Sequence, residues 1–235
     1  MIDLLHNQIK DQEESHWLSV SDLMAGLMIV FLFIAIALMR EAFIERDKIK
    51  NVAVAYQDTQ VAIYDALMDE FEDDLERWDA DIDSESLTFT FKSPEVLFAT
   101  GDINLSNRYK ELLRDFFPRY LQVLEKFADS INEVRIEGHT SSIWNRYVSD
   151  TEAYFKNMEL SQGRTRSVLA YVYSLPESEN YRPWIKKTFA AVGLSSSRPV
   201  LTPDGREDRK RSRRVTFRVI TNADIKMRQI LELDG

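Results

Sequence analysis

Cysteine is absent from the 235-residue chain, which excludes a disulfide framework, a thiol nucleophile, a zinc–thiolate site and a lipidated N-terminal cysteine. Histidine is scarce, at 3 residues, and no second His or paired acid stands at metal-ligand or catalytic spacing from His139. Positive charge is in deficit. With 30 Lys and Arg against 39 Asp and Glu, the net charge is −9 and the pI near 5.0, so most of the surface repels phosphate and a nucleic-acid partner is not expected. The basic run Arg206 to Arg214 (REDRKRSRR) is the local exception. The length suits one ordinary domain plus an appendage.

What is present begins with apolar residues. Behind a polar, acidic segment at 1–16, the run from Trp17 to Met39 (WLSVSDLMAGLMIVFLFIAIALM) has a single ionisable group and is long enough, at about 23 residues, to cross a bilayer. Trp17 and Arg40 suit the two interfaces. A signal peptide and a buried core helix are the alternatives. Ala35-Ile36-Ala37 resembles a cleavage site, but the long acidic flank does not suit a secretory leader. Within the run stands Asp22. A carboxylate inside a span costs about 3 kcal/mol and persists where it faces a partner helix or a water path. Ser19 and Ser21 add hydroxyls, and Ala25 and Gly26 permit close approach of another helix. The bland alternative is an interfacial acid snorkelling to the headgroups, roughly 8 Å inside Trp17.

Between Arg40 and Ala80 there is neither glycine nor proline, and Ile49, Val52, Tyr56, Ile63, Leu67, Phe71, Leu75 and Trp78 recur mostly at steps of three, four or seven. That spacing predicts a long amphipathic helix. Its narrow stripe fits either pairing with a second copy or folding back onto the following domain. After an acidic linker, Asp79 to Glu85, Leu87 to Phe91 alternates as a strand. Helices are expected at 107–130 and 161–175, and strands at 134–137, 188–192 and 215–220. The expected division is 1–16 as an N-terminal segment, 17–39 as the span, 40–85 as helix and linker, 86–221 as an α/β domain and 222–235 as a tail. The order is β-α-β-α-β-β, with helices on one face.

Two motif sets give this domain a resemblance. Ile136-Glu137-Gly138-His139-Thr140, then Asn157, Leu160-Ser161 and Arg164, then Ser212-Arg213-Arg214-Val215 resemble the OmpA-like peptidoglycan-binding domain, with its G-H-T-D, N-x-x-L-S-x-x-R-A and N-R-R-V. Val96 to Gly101 resembles that family's first loop. The match covers about 87–220 and implies that Arg164, Asn157, Leu160, Ser161, His139 and Thr140 contact peptidoglycan. The residues carry a reading of their own. Ser161 at a helix N-cap with Arg164 in the first turn would converge free N–H groups and a guanidinium on a carboxylate. Ser141 replaces the family's Asp, and the stretch 142–156 is longer than usual. Asp150 or Glu152 is then the candidate for meeting a stem-peptide amine. Tyr154, with Trp144, Tyr147 and Phe155, would stack on sugars or pack the insertion.

A membrane carboxylate at the start of a span, a long helix and an OmpA-like domain together resemble the MotB family of ion-driven stator subunits. Trp17 to Met28, with its W, D-x-M and small residues, resembles that family's span. The long helix and the altered G-H-T loop resemble the family's Zorya branch, which serves anti-phage defence; a flagellar-type stator and a passive membrane-to-wall tether are the alternatives. The resemblance implies a dimer inside a ring of a MotA-like membrane subunit, with Asp22 translocating ions. No cofactor, metal or enzymatic activity is expected, because no nucleophile and base or acid pair stands at the site. The domain's ligand places the N-terminus in the cytoplasm and 41 onwards in the periplasm. The flanks disagree: Lys10 precedes the span, whereas Arg40, Arg46, Lys48 and Lys50 follow it.

Overall fold

The computed structural model of the chain describes residues 2–92, 97–145 and 147–225, without the side chains of 2–20, 52, 53, 55 and 56. The expectations for Trp17, Ser19, Val52, Tyr56, Val96 and the tail beyond 225 therefore lie partly or wholly outside the described residues. Two compact units divide the chain, residues 1–51 and 52–235.

One helix, α1 (Ile2–Trp78), runs through the first unit and opens the second. In Ser21–Asn51 an 18-residue window reaches a mean hydropathy of 2.5 with none of it buried, as an apolar helix that meets lipid or a partner helix would be. Further along, the stripe behaves differently. Ile63, Leu67 and Phe71 are fully buried in the second unit's core, so over this stretch α1 folds onto its own domain.

The rest of the second unit alternates strands and helices: β1 (Ala80–Asp83), β2 (Thr88–Phe91), α2 (Asn107–Glu125), β3 (Ile131–His139), α3 (Asp150–Ser174), a 3-10 turn (Pro176–Tyr181), α4 (Arg182–Thr188), β4 (Phe189–Gly193), the single turn α5 (Arg209–Ser212) and β5 (Arg214–Thr221). The strands form one sheet in the order β1-β2-β5-β3-β4. β3 and β4 are parallel and joined through α3, while β1–β2, β2–β5 and β5–β3 are antiparallel. The stretch expected to be an acidic linker thus contains β1. Its pairing with β2 gives those backbone groups partners that local charge alone does not reveal.

The pleat sends alternate residues to opposite faces. Phe89 and Phe91 of β2, opposite Phe217 and Val215 of β5, face the helices, and Phe116 of α2 packs on both Phe89 and Phe217 at ring-centroid distances of 4.7 and 5.1 Å. α2 starts where Ser106 accepts from the Tyr109 N–H at 3.0 Å and ends at Glu125, five residues short of the expected boundary. The chain then turns through Phe127 and Ser130 into β3.

The largest correction concerns α3. It begins at Asp150, not at Ser161. Ser149 is the N-cap, its Oγ accepting from the Glu152 N–H at 3.2 Å, with Asp150 and Glu152 in the first turn, where acidic side chains complement the helix dipole. The sequence signal was Ser149-x-x-Glu152, a capping-box pattern. α3 lies close on the sheet because glycines face it. A Cβ on Gly193 would stand 2.7 Å from Gln162 Cα, and one on Gly138 2.8 Å from the Ser161 carbonyl oxygen.

Candidate functional site

Beyond the C-terminal end of β3, the loop after β2, the loop after β3, the α3 surface and the segment before β5 enclose a cavity of about 350 Å³. Thr140, Asn157, Leu160 and Arg164 line it, together with Phe98, Trp144 and Arg213. Four of the seven expected peptidoglycan contacts are therefore brought together. Ser161, Tyr154 and His139 are not among its lining residues.

Arg164 differs most from expectation. It sits in the middle of α3 rather than in a first turn, and it is 9% exposed. Its Nε donates to the Asp102 carbonyl at 2.9 Å, its Nη2 donates to the Ala99 carbonyl at 3.2 Å, and its guanidinium carbon lies 4.8 Å from the Phe98 ring centroid. Burial presses its pKa down, Asp102 opposes that, and Arg213 adds to the depression. A guanidinium stays charged regardless. It both pins the 99–102 loop and supplies charge to the cavity. The convergence of free helix N–H groups expected at Ser161 does not exist, because that residue is inside a helix.

Ser161 works from below. Its Oγ donates to the Met158 carbonyl at 3.0 Å and accepts from the Ser195 N–H at 3.1 Å. Ser195 Oγ donates to the Tyr154 carbonyl at 2.7 Å, and the Ser195 carbonyl accepts from the Thr140 N–H at 2.9 Å. This chain ties α3, the loop after β4 and the loop after β3 into one frame. Ser195 is fully buried with a φ of 49°, a left-handed conformation that a non-glycine residue keeps only where its surroundings hold it. Tyr154 thus takes part through its backbone, and its ring stands edge-on to Phe155 at 5.5 Å.

Asn157 is buried and donates from Nδ2 to the Ser141 carbonyl at 3.1 Å, which shapes the loop where the family's Asp would be. Thr140 is 4% exposed and its Oγ1 has no hydrogen-bond partner among the described residues. Asp150 and Glu152 are exposed at the start of α3, and Glu152 pairs with Lys156 at 2.9 Å. Glu207 instead meets the loop after β3, accepting from the Ser142 N–H at 2.9 Å and from Ser142 Oγ at 2.5 Å. Neither the spacing nor the motif had pointed to it. Of the inserted aromatics, Trp144 lines the cavity while Tyr147 and Phe155 are exposed. Arg213, named only as part of S-R-R-V, supplies the second guanidinium. Two guanidiniums, a free hydroxyl and an aromatic rim suit a ligand that carries a carboxylate beside an apolar or sugar surface.

In the first unit, Asp22 and Gly26 stand one helical turn apart on α1, and both are exposed. A Cβ at Gly26 would meet nothing within 4 Å.

No protein-family profile matches the chain. Zorya protein ZorB of Escherichia coli Crooks is 54% identical over 223 residues, covering 95% of each chain. Among solved structures, a MotB-like protein of Desulfovibrio vulgaris is 22% identical, covers 69% of this chain and 91% of its own, and superposes with a TM-score of 0.46. The cell wall anchor of the type VI secretion system of Pseudomonas aeruginosa is 22% identical, covers 66% and 97%, and has a TM-score of 0.45. On sequence identity sustained over nearly its whole length, this chain belongs to the ZorB family.

Proposed function

We propose that this chain is the peptidoglycan-anchored stator subunit of an ion-driven inner-membrane rotary motor in a Zorya-type anti-phage system. Two copies would stand inside a ring of a MotA-like, ZorA-type membrane subunit, with the second unit in the periplasm and the N-terminus in the cytoplasm. The cation-lined cavity would hold the wall through stem-peptide carboxylates, so that the partner ring turns against a fixed dimer. The observation that carries the motor is Asp22, the single carboxylate within the apolar run 17–39 of α1, where the described side chains 21–39 are exposed and Gly26 stands one turn away. The identity to ZorB supports the same reading. Protons are the expected ion, since a carboxyl can take and release one. Each charge crossing 100 mV delivers about 2.3 kcal/mol, enough to bias a repeated step.

Asp22→Asn keeps the side chain's shape and loses its titratable proton. The variant is expected to insert, assemble with its partner and bind sacculi as the parent does, yet to give no protection against phage. Assembly and protection scored side by side test this. An assembled Asp22→Asn complex that still protects would leave a passive membrane-to-wall tether in place of the motor.

A further inference from the structure

The sheet face away from the helices holds a second cavity, of about 220 Å³, that the wall-binding site does not use. The β3–β5 register sets Glu137 opposite Thr216 and His139 opposite Arg214, and the pleat turns these four side chains to that face. Arg218, Arg198 and Asp83 complete its charged lining, three guanidiniums against two carboxylates, beside the hydroxyls of Ser86, Thr88 and Thr90. Several deep groups lack partners. Glu137, His139 and Thr216 are 3%, 5% and 2% exposed, and Glu137 Oε1, both imidazole nitrogens, Thr216 Oγ1 and Arg218 Nε have no hydrogen-bond partner among the described residues. Buried polar atoms in native proteins are nearly always satisfied, by protein, water or ligand. Glu137 Oε2 is already approached by His139 Nε2 at 3.5 Å and Arg198 Nη1 at 3.7 Å, which leaves Oε1 as the unpartnered oxygen of a residue that lines the cavity.

The donors and acceptors constrain what fits. A carboxylate oxygen only accepts, so Glu137 calls for a hydroxyl or N–H donor; guanidiniums only donate, so Arg218 and its neighbours call for an acceptor, best an anionic one. A bare inorganic anion would meet the repulsion of Glu137, and a neutral polyol would leave the excess arginine charge unmatched. At ~30 Å³ per water the space equals about seven waters, the scale of one substituted sugar ring. We propose that this open face is a binding site for a monosaccharide unit that carries both hydroxyl groups and one acidic group. The proposal does not depend on the wall-binding cavity.

The test uses the full chain in detergent micelles, titrated calorimetrically with N-acetylmuramic acid, N-acetylglucosamine and inorganic phosphate. N-acetylmuramic acid should bind about tenfold or more tightly than either of the others, since only it supplies both chemistries. Arg218→Gln and Thr216→Val should each weaken it about tenfold, the loss expected for one charge-assisted or buried hydrogen bond, while leaving sacculus binding unchanged. Thr216→Val preserves volume and keeps the test decisive should Arg218→Gln fold poorly. Equal affinity for phosphate or for N-acetylglucosamine would overturn the proposal, as would no binding at all, the result for a cavity filled by water alone. A disulfide forming between two chains that carry Arg218→Cys would assign the face to a second copy and overturn it as well.

Discussion

Arg164 holds the fold together and, on the proposed function, would also meet the ligand. Because it is bonded to two carbonyls of the 99–102 loop, Arg164→Ala should cost about 1.5 to 3 kcal/mol of stability, the range for hydrogen bonds from a charged group, in addition to weakening sacculus binding. Arg164→Lys should recover little, since an ammonium cannot span both carbonyls and lie on the Phe98 ring. Denaturant melts beside pull-downs check this; unchanged stability with lost binding would return Arg164 to the surface role its motif suggests. His139 makes a separate prediction. Burial lowers its pKa below 6.5 and outweighs the opposing effect of Glu137, while Arg214 and Arg198 add to the lowering. Burial would raise Glu137, but His139, Arg198 and Arg218 hold it below 4.5. The unfolded chain therefore binds protons that the folded chain resists. Stability is full above about pH 6.5, falls as the pH drops below it through His139, and falls further below about 4.5 through Glu137. His139→Gln should flatten the melting-temperature profile between pH 7.5 and 5.5; parallel profiles for the two proteins would refute the assignment.

At the scale of elements, the joint between α1 and α2 is the one most exposed to test. Arg119 of α2 donates from Nε to Glu70 Oε1 at 2.6 Å, from Nη1 to Asp74 Oδ2 at 2.7 Å and from Nη2 to the Glu70 carbonyl at 2.6 Å, with its guanidinium carbon 4.8 Å from the Phe71 ring centroid. Phe71 is fully buried among Phe89, Phe116 and Trp78. Phe71→Ala should cost about 3 to 5 kcal/mol, as large aromatic truncations in cores do, and thermal melts of the full chain in detergent would read it. A loss under 1 kcal/mol would mean that the end of α1 is not part of the core. The apolar stripe was legible in the sequence, as were the alternating strands and the motif positions. Whether the stripe met a second copy or its own domain was not, because both partners satisfy the same period. The start of α3 was missed for a related reason: the N-x-x-L-S motif drew the boundary to Ser161, while the cap pattern lay at Ser149.

For the whole molecule, the second unit extends from Val52, and its core reaches back to Ile63. A fragment beginning at Val52 should melt cooperatively. One beginning at Ser86 should not, since it lacks β1 and the Ile63, Leu67 and Phe71 side chains that close the core. Circular dichroism melts of the two fragments decide this, and equal cooperativity would place the domain boundary at 86 after all. A reporter fused at Gly235 that is active only in the periplasm would support the proposed orientation against the charge of the flanks.

Composition and local order by themselves determined the apolar run, the placement of Asp22 within it and the strand alternation, while Asn157, Leu160, Arg164 and Thr140 were picked out by the resemblance of their motifs. These features depend on residues within a turn or two of one another, which is the range over which helix and strand periods act. Tertiary structure alone decided what those residues touch. Arg164 reaches carbonyls more than sixty positions earlier, and Ser161 supports a loop 34 positions later. His139 and Thr140, adjacent in sequence, line different cavities. The reason is physical: a buried donor takes whichever acceptor the packed sheet brings within about 3 Å, and that neighbour is set by strand order and helix placement rather than by spacing along the chain.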